Sequence, residues 1–173
     1  TLYLQADDTN DLNLLRTDNG SLRNTEIFLK LTHEKLKKRF GEHMGTDITM
    51  MFDDEAYMGF WSDGLAQIFM ERYGYDIGDF MPVIKNEIVP QTEEEYRAKS
   101  DYIMLCGELV RENYFKAMRV WLNANHMLSV GHLDNDNVLD QGIRKRYGNV
   151  MQTLREFDVP GIDVIWSQID YPQ

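Results

Sequence analysis

Apolar residues recur every three or four positions in several stretches of the chain, and this spacing predicts amphipathic helices. The first helix begins at Asn24 or Thr25, both good N-caps, runs to about Phe40 and stops at Gly41 or Gly45. The other predicted helices cover residues 62–73, 92–125 and 141–157, with a short helix or turn at residues 76–84.

Short apolar runs between these helices predict buried strands at residues 48–52, 127–130 and 162–166, with a candidate fourth strand at residues 2–4. Strands that alternate with helices imply an α/β fold with parallel strands and right-handed crossover helices. The chain has 173 residues, whereas a closed (β/α)8 barrel typically needs about 250 residues. We therefore expect a single α/β unit over residues 1–173. It is either a small open sheet or, as we favour, a segment of a TIM barrel.

Three acids, Asp53, Asp54 and Glu55, follow the first predicted strand directly. Carboxylates crowded at the end of a buried strand repel one another and lose part of their hydration, so the pKa of at least one should be raised. The C-terminal ends of parallel strands are also where α/β proteins bind ligands. The alternative is that the acids only solvate the strand end or cap the next helix.

The second and third predicted strands also end in polar residues, so parallel strands would bring three groups to one edge of the sheet. Acids, a histidine, amides and aromatic rings together are typical of a sugar-binding cleft. Tyr57, Phe60 and Trp61 lie just past the acids and would form a stacking platform, or else pack at the start of a helix. The groups after the second and third strands are His132, Asp134, Asp136, Trp166, Ser167 and Gln168.

The charge balance and the single cysteine exclude several classes of function. A net charge of -11 argues against nucleic-acid and anionic-membrane partners, because both require clustered lysine and arginine. Cys106 is the only cysteine, so no intrachain disulfide forms, and its apolar helical neighbours predict a core position. The sequence shows no membrane-spanning stretch and no signal peptide, and its first residue, Thr1, leads us to expect a processed or trimmed chain.

A metal site is an alternative use of the same polar residues. His132, Asp134 and Asp136 would bind a divalent ion with help from Asp53 or Glu55. An EF-hand is rejected, because Val138 and Lys145 occupy two of its ligand positions. No HExxH, GxSxG, P-loop or GxGxxG motif is present, so common zinc, serine-hydrolase and nucleotide chemistries find no support.

Several segments, in their order and spacing, resemble bacterial glycoside hydrolases related to the α-L-rhamnosidases. The motif Phe52-Asp53-Asp54-Glu55 is one of them, and the resemblance extends from Phe28 to Pro172. The other segments are residues 28–34, 69–76, 112–115 and 158–166.

The resemblance implies a (β/α)8 barrel of which this chain is the middle, from about the third strand to the sixth. It also implies that Glu55 is the general acid and that its carboxylate partner lies beyond Gln173. Asp163 lies near the place where some relatives carry a catalytic Glu, but we expect it to enter its strand rather than leave it. Calcium is a candidate cofactor, since rhamnosidases of this kind use it, and no complete calcium site is apparent in the sequence.

We therefore predict an exported bacterial glycoside hydrolase, periplasmic or extracellular, acting on plant or bacterial polysaccharides or oligosaccharides. Glu55 would protonate the leaving oxygen, with its pKa raised by Asp53 and Asp54, and Asp54 would orient it or bind a hydroxyl. The alternatives are a non-catalytic carbohydrate-binding protein and a metal-dependent hydrolase. The expected partners are a carbohydrate and the remaining barrel segments, or another chain, covering exposed edges. Substrate contacts are predicted for Asp53, Tyr57, Trp61, His132, Asp134, Asp136, Trp166 and Gln168.

Overall fold

Helices and parallel strands make up the part of the chain that the computed structural model describes, which is residues 18–56, 59, 61–135 and 147–163. The α-helices are α1 (Leu22–Leu31), α2 (His33–Phe40), α3 (Leu65–Tyr73), α4 (Met81–Ile84), α5 (Glu93–Val110), α6 (Lys116–Ala124) and α7 (Val150–Leu154). Between these described helices lie the 3-10 helices Gly41–His43 and Ile77–Phe80 and the π-helix Arg111–Phe115. The strands are β1 (Met50–Asp54), β2 (Leu128–His132) and β3 (Val159–Pro160).

The strands form one parallel sheet in the order β1-β2-β3. Asp54 lies opposite His132, so the C-terminal ends of β1 and β2 are level. β3 continues the sheet with Val159 opposite Val130. Parallel strands joined through helices confirm the α/β class that the sequence predicts, whereas the barrel stays a prediction.

The strands differ in position from the sequence-based prediction. β1 extends two residues further than predicted, so Asp53 and Asp54 are the last residues of the strand rather than the first residues after it. The prediction for the third strand is wrong at its start, because β3 precedes Gly161 instead of following it. Among the described strands, β3 pairs only with β2, and Pro160 is its last residue, so the missing N–H of Pro160 interrupts no ladder within the described sheet. The predicted strand at residues 2–4 and the end of the third one, from residue 164, lie outside the described residues.

The first predicted helix is divided in two. The Ser21 side chain accepts a hydrogen bond from the Asn24 N–H at 3.4 Å, so α1 begins before the predicted caps. At the other end, the Thr32 hydroxyl donates to the Phe28 carbonyl at 2.7 Å. Such a side-chain bond competes with regular helix geometry and bends the chain, and α2 starts immediately afterwards.

The longest predicted helix is confirmed as one helical run over residues 93–124, interrupted by the π-helix. A capping box starts it: the Thr92 hydroxyl accepts the Glu95 N–H at 3.2 Å, and the Glu95 carboxylate accepts the Thr92 N–H at 3.1 Å. Short π-helical segments inside α-helices occur frequently at functional sites. This one carries Tyr114, whose side chain reaches β1.

The two faces of the sheet are covered differently within the described part of the chain. Met51 packs with Leu122 of α6 in a small buried cluster, so this face lies against the helices. On the opposite face, Met50, Phe52 and Leu128 are 50%, 64% and 42% exposed. An apolar sheet face of this kind is what the interior of a barrel would cover.

The position of the cysteine agrees with the sequence-based expectation. Cys106 is buried in the main core cluster, as predicted, and burial raises the pKa of its thiol to about 12. Among the described residues, none of the helices has both the length and the apolar character that crossing a bilayer requires.

Candidate active site

His132 and Asp54 form a polar pair where β2 and β1 end side by side. The His132 Nε2 atom lies 3.0 Å from an Asp54 carboxylate oxygen. The imidazole side chain is only 8% exposed, whereas that of Asp54 is 75% exposed. The Phe52 ring packs against the imidazole, with ring centres 5.6 Å apart. The pair therefore combines a buried imidazole with an accessible carboxylate, on the sheet face that carries Phe52.

Glu55 follows β1 in a conformation that few side chains adopt. Its φ angle is 56°, in the left-handed region, and its side chain is exposed. This region costs an L-residue roughly 1–2 kcal/mol. The Asp53 carboxylate, two residues earlier, accepts a hydrogen bond from the Ala56 N–H and so closes the turn around Glu55.

The surroundings of Glu55 favour its protonated form. Partial burial is the largest cause of a raised pKa, and the negative charge of Asp134 adds to it. The neighbouring His132 acts in the opposite direction, while Asp54 and Asp163 raise the pKa further. The direction agrees with the sequence-based expectation, but the main carboxylate neighbour is Asp134 and not the predicted Asp53. A raised pKa makes a carboxyl group hold its proton more tightly, which is the direction that general acid catalysis requires.

Asp53 lies in a different environment from Asp54, although the two are adjacent. Successive side chains of a strand point to opposite faces, and the Asp53 carboxylate accepts a hydrogen bond from the Tyr114 hydroxyl on the helix side. Burial raises the pKa of Asp53, and burial together with the Asp53 charge raises the pKa of Tyr114. The structure therefore does not bring Asp53 to the face shared by Asp54 and His132, and its predicted substrate contact stays a prediction.

Asp163 also lies in the site. One ligand atom from each of Glu55, His132 and Asp163 lies within 4.8 Å of the others. The expectation that Asp163 enters its strand is wrong, because β3 ends at Pro160 and Asp163 comes three residues later. The prediction for Asp163 failed because the sequence-based strand starts after Gly161, whereas β3 ends before it.

A tyrosine hydroxyl connects the loops that follow β1 and β2. The Tyr147 hydroxyl donates to the Ala56 carbonyl at 3.0 Å and accepts the Asp134 N–H at 3.0 Å. Next to Asp134, Asn135 has a φ angle of 59°, and its amide donates to the Asp134 carboxylate at 2.5 Å. No sequence signal marks Tyr147 for this role, because its partners lie 91 and 13 residues away.

The other predicted site residues divide into one that the structure describes and four that it does not. Trp61 is half-buried against the main core cluster, which fits its alternative interpretation as a packing residue at the start of a helix. Its predicted part in stacking on a sugar stays a prediction. Outside the described residues lie Tyr57, Asp136, Trp166 and Gln168.

The donor set of Glu55, His132 and Asp163 bears on whether calcium fits this site. Calcium takes about six to eight oxygen ligands, and imidazole is not among its usual ones. Two carboxylates with one imidazole suit a transition metal better. The described residues therefore do not by themselves form a calcium site.

The sheet edge with its exposed Glu55, the Asp54–His132 pair and Asp163 has the acidic composition of a glycosidase cleft. Comparison with protein families identifies the class: residues 10–171 match glycoside hydrolase family 106, described as alpha-L-rhamnosidase. The chain belongs to this family, which confirms the resemblance to rhamnosidase-related glycoside hydrolases. A search of curated proteins found no match.

Proposed function

We propose that this chain forms part of the catalytic domain of an α-L-rhamnosidase and that Glu55 is its general acid. The observation that carries the proposal is the position of Glu55, an exposed carboxyl with a raised pKa at the C-terminal end of a parallel strand. Membership of a glycoside hydrolase family supports the reaction class. The proposed substrates are rhamnose-containing oligosaccharides or polysaccharides of plants or bacteria.

In this proposal, the surrounding groups hold the proton on Glu55 until the glycosidic bond breaks. The Asp134 charge disfavours loss of that proton, and the leaving oxygen receives it as the bond to the sugar lengthens. Asp54 orients His132 at 3.0 Å, so that the pair can bind sugar hydroxyls next to the acid. A carboxylate oxygen of Asp163 lies within 4.8 Å of one of Glu55. The two carboxyl groups of an inverting glycosidase are farther apart, at roughly 6.5–9.5 Å. An inverting mechanism would therefore take its base from another residue.

The exposed sheet face supports the further proposal that the strands belong to a barrel. Met50, Phe52 and Leu128 lie opposite the helix-covered face, as the inward side chains of a (β/α)8 barrel do. An experimental structure of the natural full-length protein tests this. The proposal requires that side chains from other strands cover Phe52, and solvent or a helix in that place would contradict it.

The role of Glu55 is tested by the Glu55→Gln variant of the natural full-length protein, with Glu26→Gln on the exposed side of α1 as the matched control. Loss of the general acid should lower kcat about 10²–10⁴-fold on a rhamnoside with a poor leaving group. A dinitrophenyl rhamnoside should be much less affected, because its leaving group needs no proton. Equal rates for the two variants on the poor substrate would refute the assignment. Retained sugar binding by a wild type that shows no turnover would favour the non-catalytic alternative.

A second candidate function, metal-assisted hydrolysis, is favoured by the approach of Glu55, His132 and Asp163 to within 4.8 Å of one another. Such a cluster can hold a divalent ion, which would supply Lewis-acid chemistry. The test is dialysis against a chelator, followed by elemental analysis and addition of single divalent ions. Activity that is lost, and then restored with one bound ion per chain, would support this candidate. Full activity without any metal would refute it.

A further inference from the structure

The hydroxyl of Tyr147 contacts the loops on both sides of the candidate site. It donates to the carbonyl of Ala56, the residue after Glu55, at 3.0 Å. It also accepts the N–H of Asp134 at 3.0 Å. A single oxygen atom therefore fixes the backbone of both loops that carry the acid and its main charged neighbour.

Tyr147 is itself held rigidly. It is 1% exposed and packs near Phe115, with ring centres 6.3 Å apart. Helix α5 approaches its backbone so closely that a Cβ on Gly107 would lie 2.0 Å from the Tyr147 carbonyl oxygen. Only glycine permits this approach. The hydroxyl is therefore presented from a fixed point in the core.

The backbone that Tyr147 contacts needs such support. Glu55 has a φ angle of 56°, which a carboxylate-bearing residue adopts only when its surroundings hold it there. Asp53 binds the Ala56 N–H and Tyr147 binds the Ala56 carbonyl, so the peptide groups after Glu55 are held from two sides.

We propose that Tyr147 is a positioning residue, which sets the distance between the Glu55 and Asp134 side chains by bonding to both of their loops. This inference rests on the proposed function of Glu55. Removing the hydroxyl leaves the Ala56 carbonyl and the Asp134 N–H without this bond. The loops then separate, and the charge of Asp134 acts less strongly on Glu55.

The test compares Tyr147→Phe with Tyr75→Phe in the natural full-length protein. Tyr75 is the control, because its hydroxyl also donates a hydrogen bond, to the Asp101 carboxylate at 2.8 Å, away from the strand ends. Tyr147→Phe should lower kcat/KM about 10–100-fold, since a misplacement of about 1 Å can cost 10²-fold. The alkaline limb of the pH profile of kcat/KM should also move to lower pH in Tyr147→Phe, whereas Tyr75→Phe should leave this profile unchanged.

Two results would overturn the proposal. One is a Tyr147→Phe variant with the wild-type pH profile, whether or not its stability and rate fall, because a merely structural role would leave the profile in place. The other is fast amide hydrogen exchange at Asp134 in the wild-type protein, which would show that the bond to Tyr147 is not kept in solution. The second measurement needs neither a folded variant nor any activity. It therefore tests the bridge separately from the proposed function, which fails if the wild type cleaves no rhamnoside.

Discussion

Replacing Gly107 with alanine gives a direct test of how α5 packs against the residues next to the site. Alanine in a helix interior is normally favoured over glycine by about 1 kcal/mol. At this position, however, the new methyl group would lie 2.0 Å from the Tyr147 carbonyl oxygen and 2.8 Å from the Gly148 nitrogen. These are backbone atoms, so no side-chain rotation relieves the contact. The helix or the segment around Tyr147 must move.

Overpacking of this kind typically lowers the free energy of unfolding by about 1–3 kcal/mol. We expect a cost at or above the upper end of that range, because the contact is with backbone atoms. After the gain in helix propensity, we expect Gly107→Ala to lower the free energy of unfolding by about 2 kcal/mol. For a chain of this size that corresponds to a melting temperature lower by about 4–8 °C.

Calorimetry or thermal unfolding followed by circular dichroism measures this change. Gly41→Ala is the matched control, because its methyl group would meet only the Lys37 Cγ at 3.7 Å, an ordinary contact. The control should melt at or slightly above the wild-type temperature. A Gly107→Ala variant that melts as the control does would show that α5 does not approach Tyr147 as described, and the rigidity argued for Tyr147 would be refuted with it.

Two other predictions address the site and the long helix. Asp134→Asn removes the largest carboxylate contribution to the raised pKa of Glu55, so the alkaline limb of kcat/KM should move to lower pH. An unchanged limb would mean that another group controls it. Thr92→Ala removes the hydroxyl that accepts the Glu95 N–H and should lower the free energy of unfolding by about 1 kcal/mol, measured by urea denaturation. No change in the denaturation midpoint would contradict the capping role.

The sequence predicted those parts of the fold that depend on neighbouring residues. Thr92 and Glu95 sit three residues apart at the start of the longest helix, and this local pattern is visible without any structure. Gly74 ends α3 in the left-handed conformation for an equally local reason. The class of fold followed from the alternation of such elements.

The features that the sequence did not predict depend on contacts between residues that are distant in the chain. The observed strands differ from the predicted ones by a few positions. The end of β1 is decided by the pairing of Asp54 with His132, and a single apolar run in the sequence does not reveal this register. The role of Tyr147 depends on a partner 91 residues away. Asp163 was expected to enter the third strand because that strand was predicted to start after Gly161, whereas β3 ends before it.

The left-handed backbone of Glu55 also has a consequence for engineering and for evolution. Glycine would adopt this φ angle without the cost of about 1 kcal/mol or more that glutamate carries. A library screened for heat resistance alone would therefore enrich glycine at position 55 and discard the carboxyl group. In the proposed role of Glu55 as general acid, the residue that the chemistry requires is therefore one that a screen for stability alone would remove.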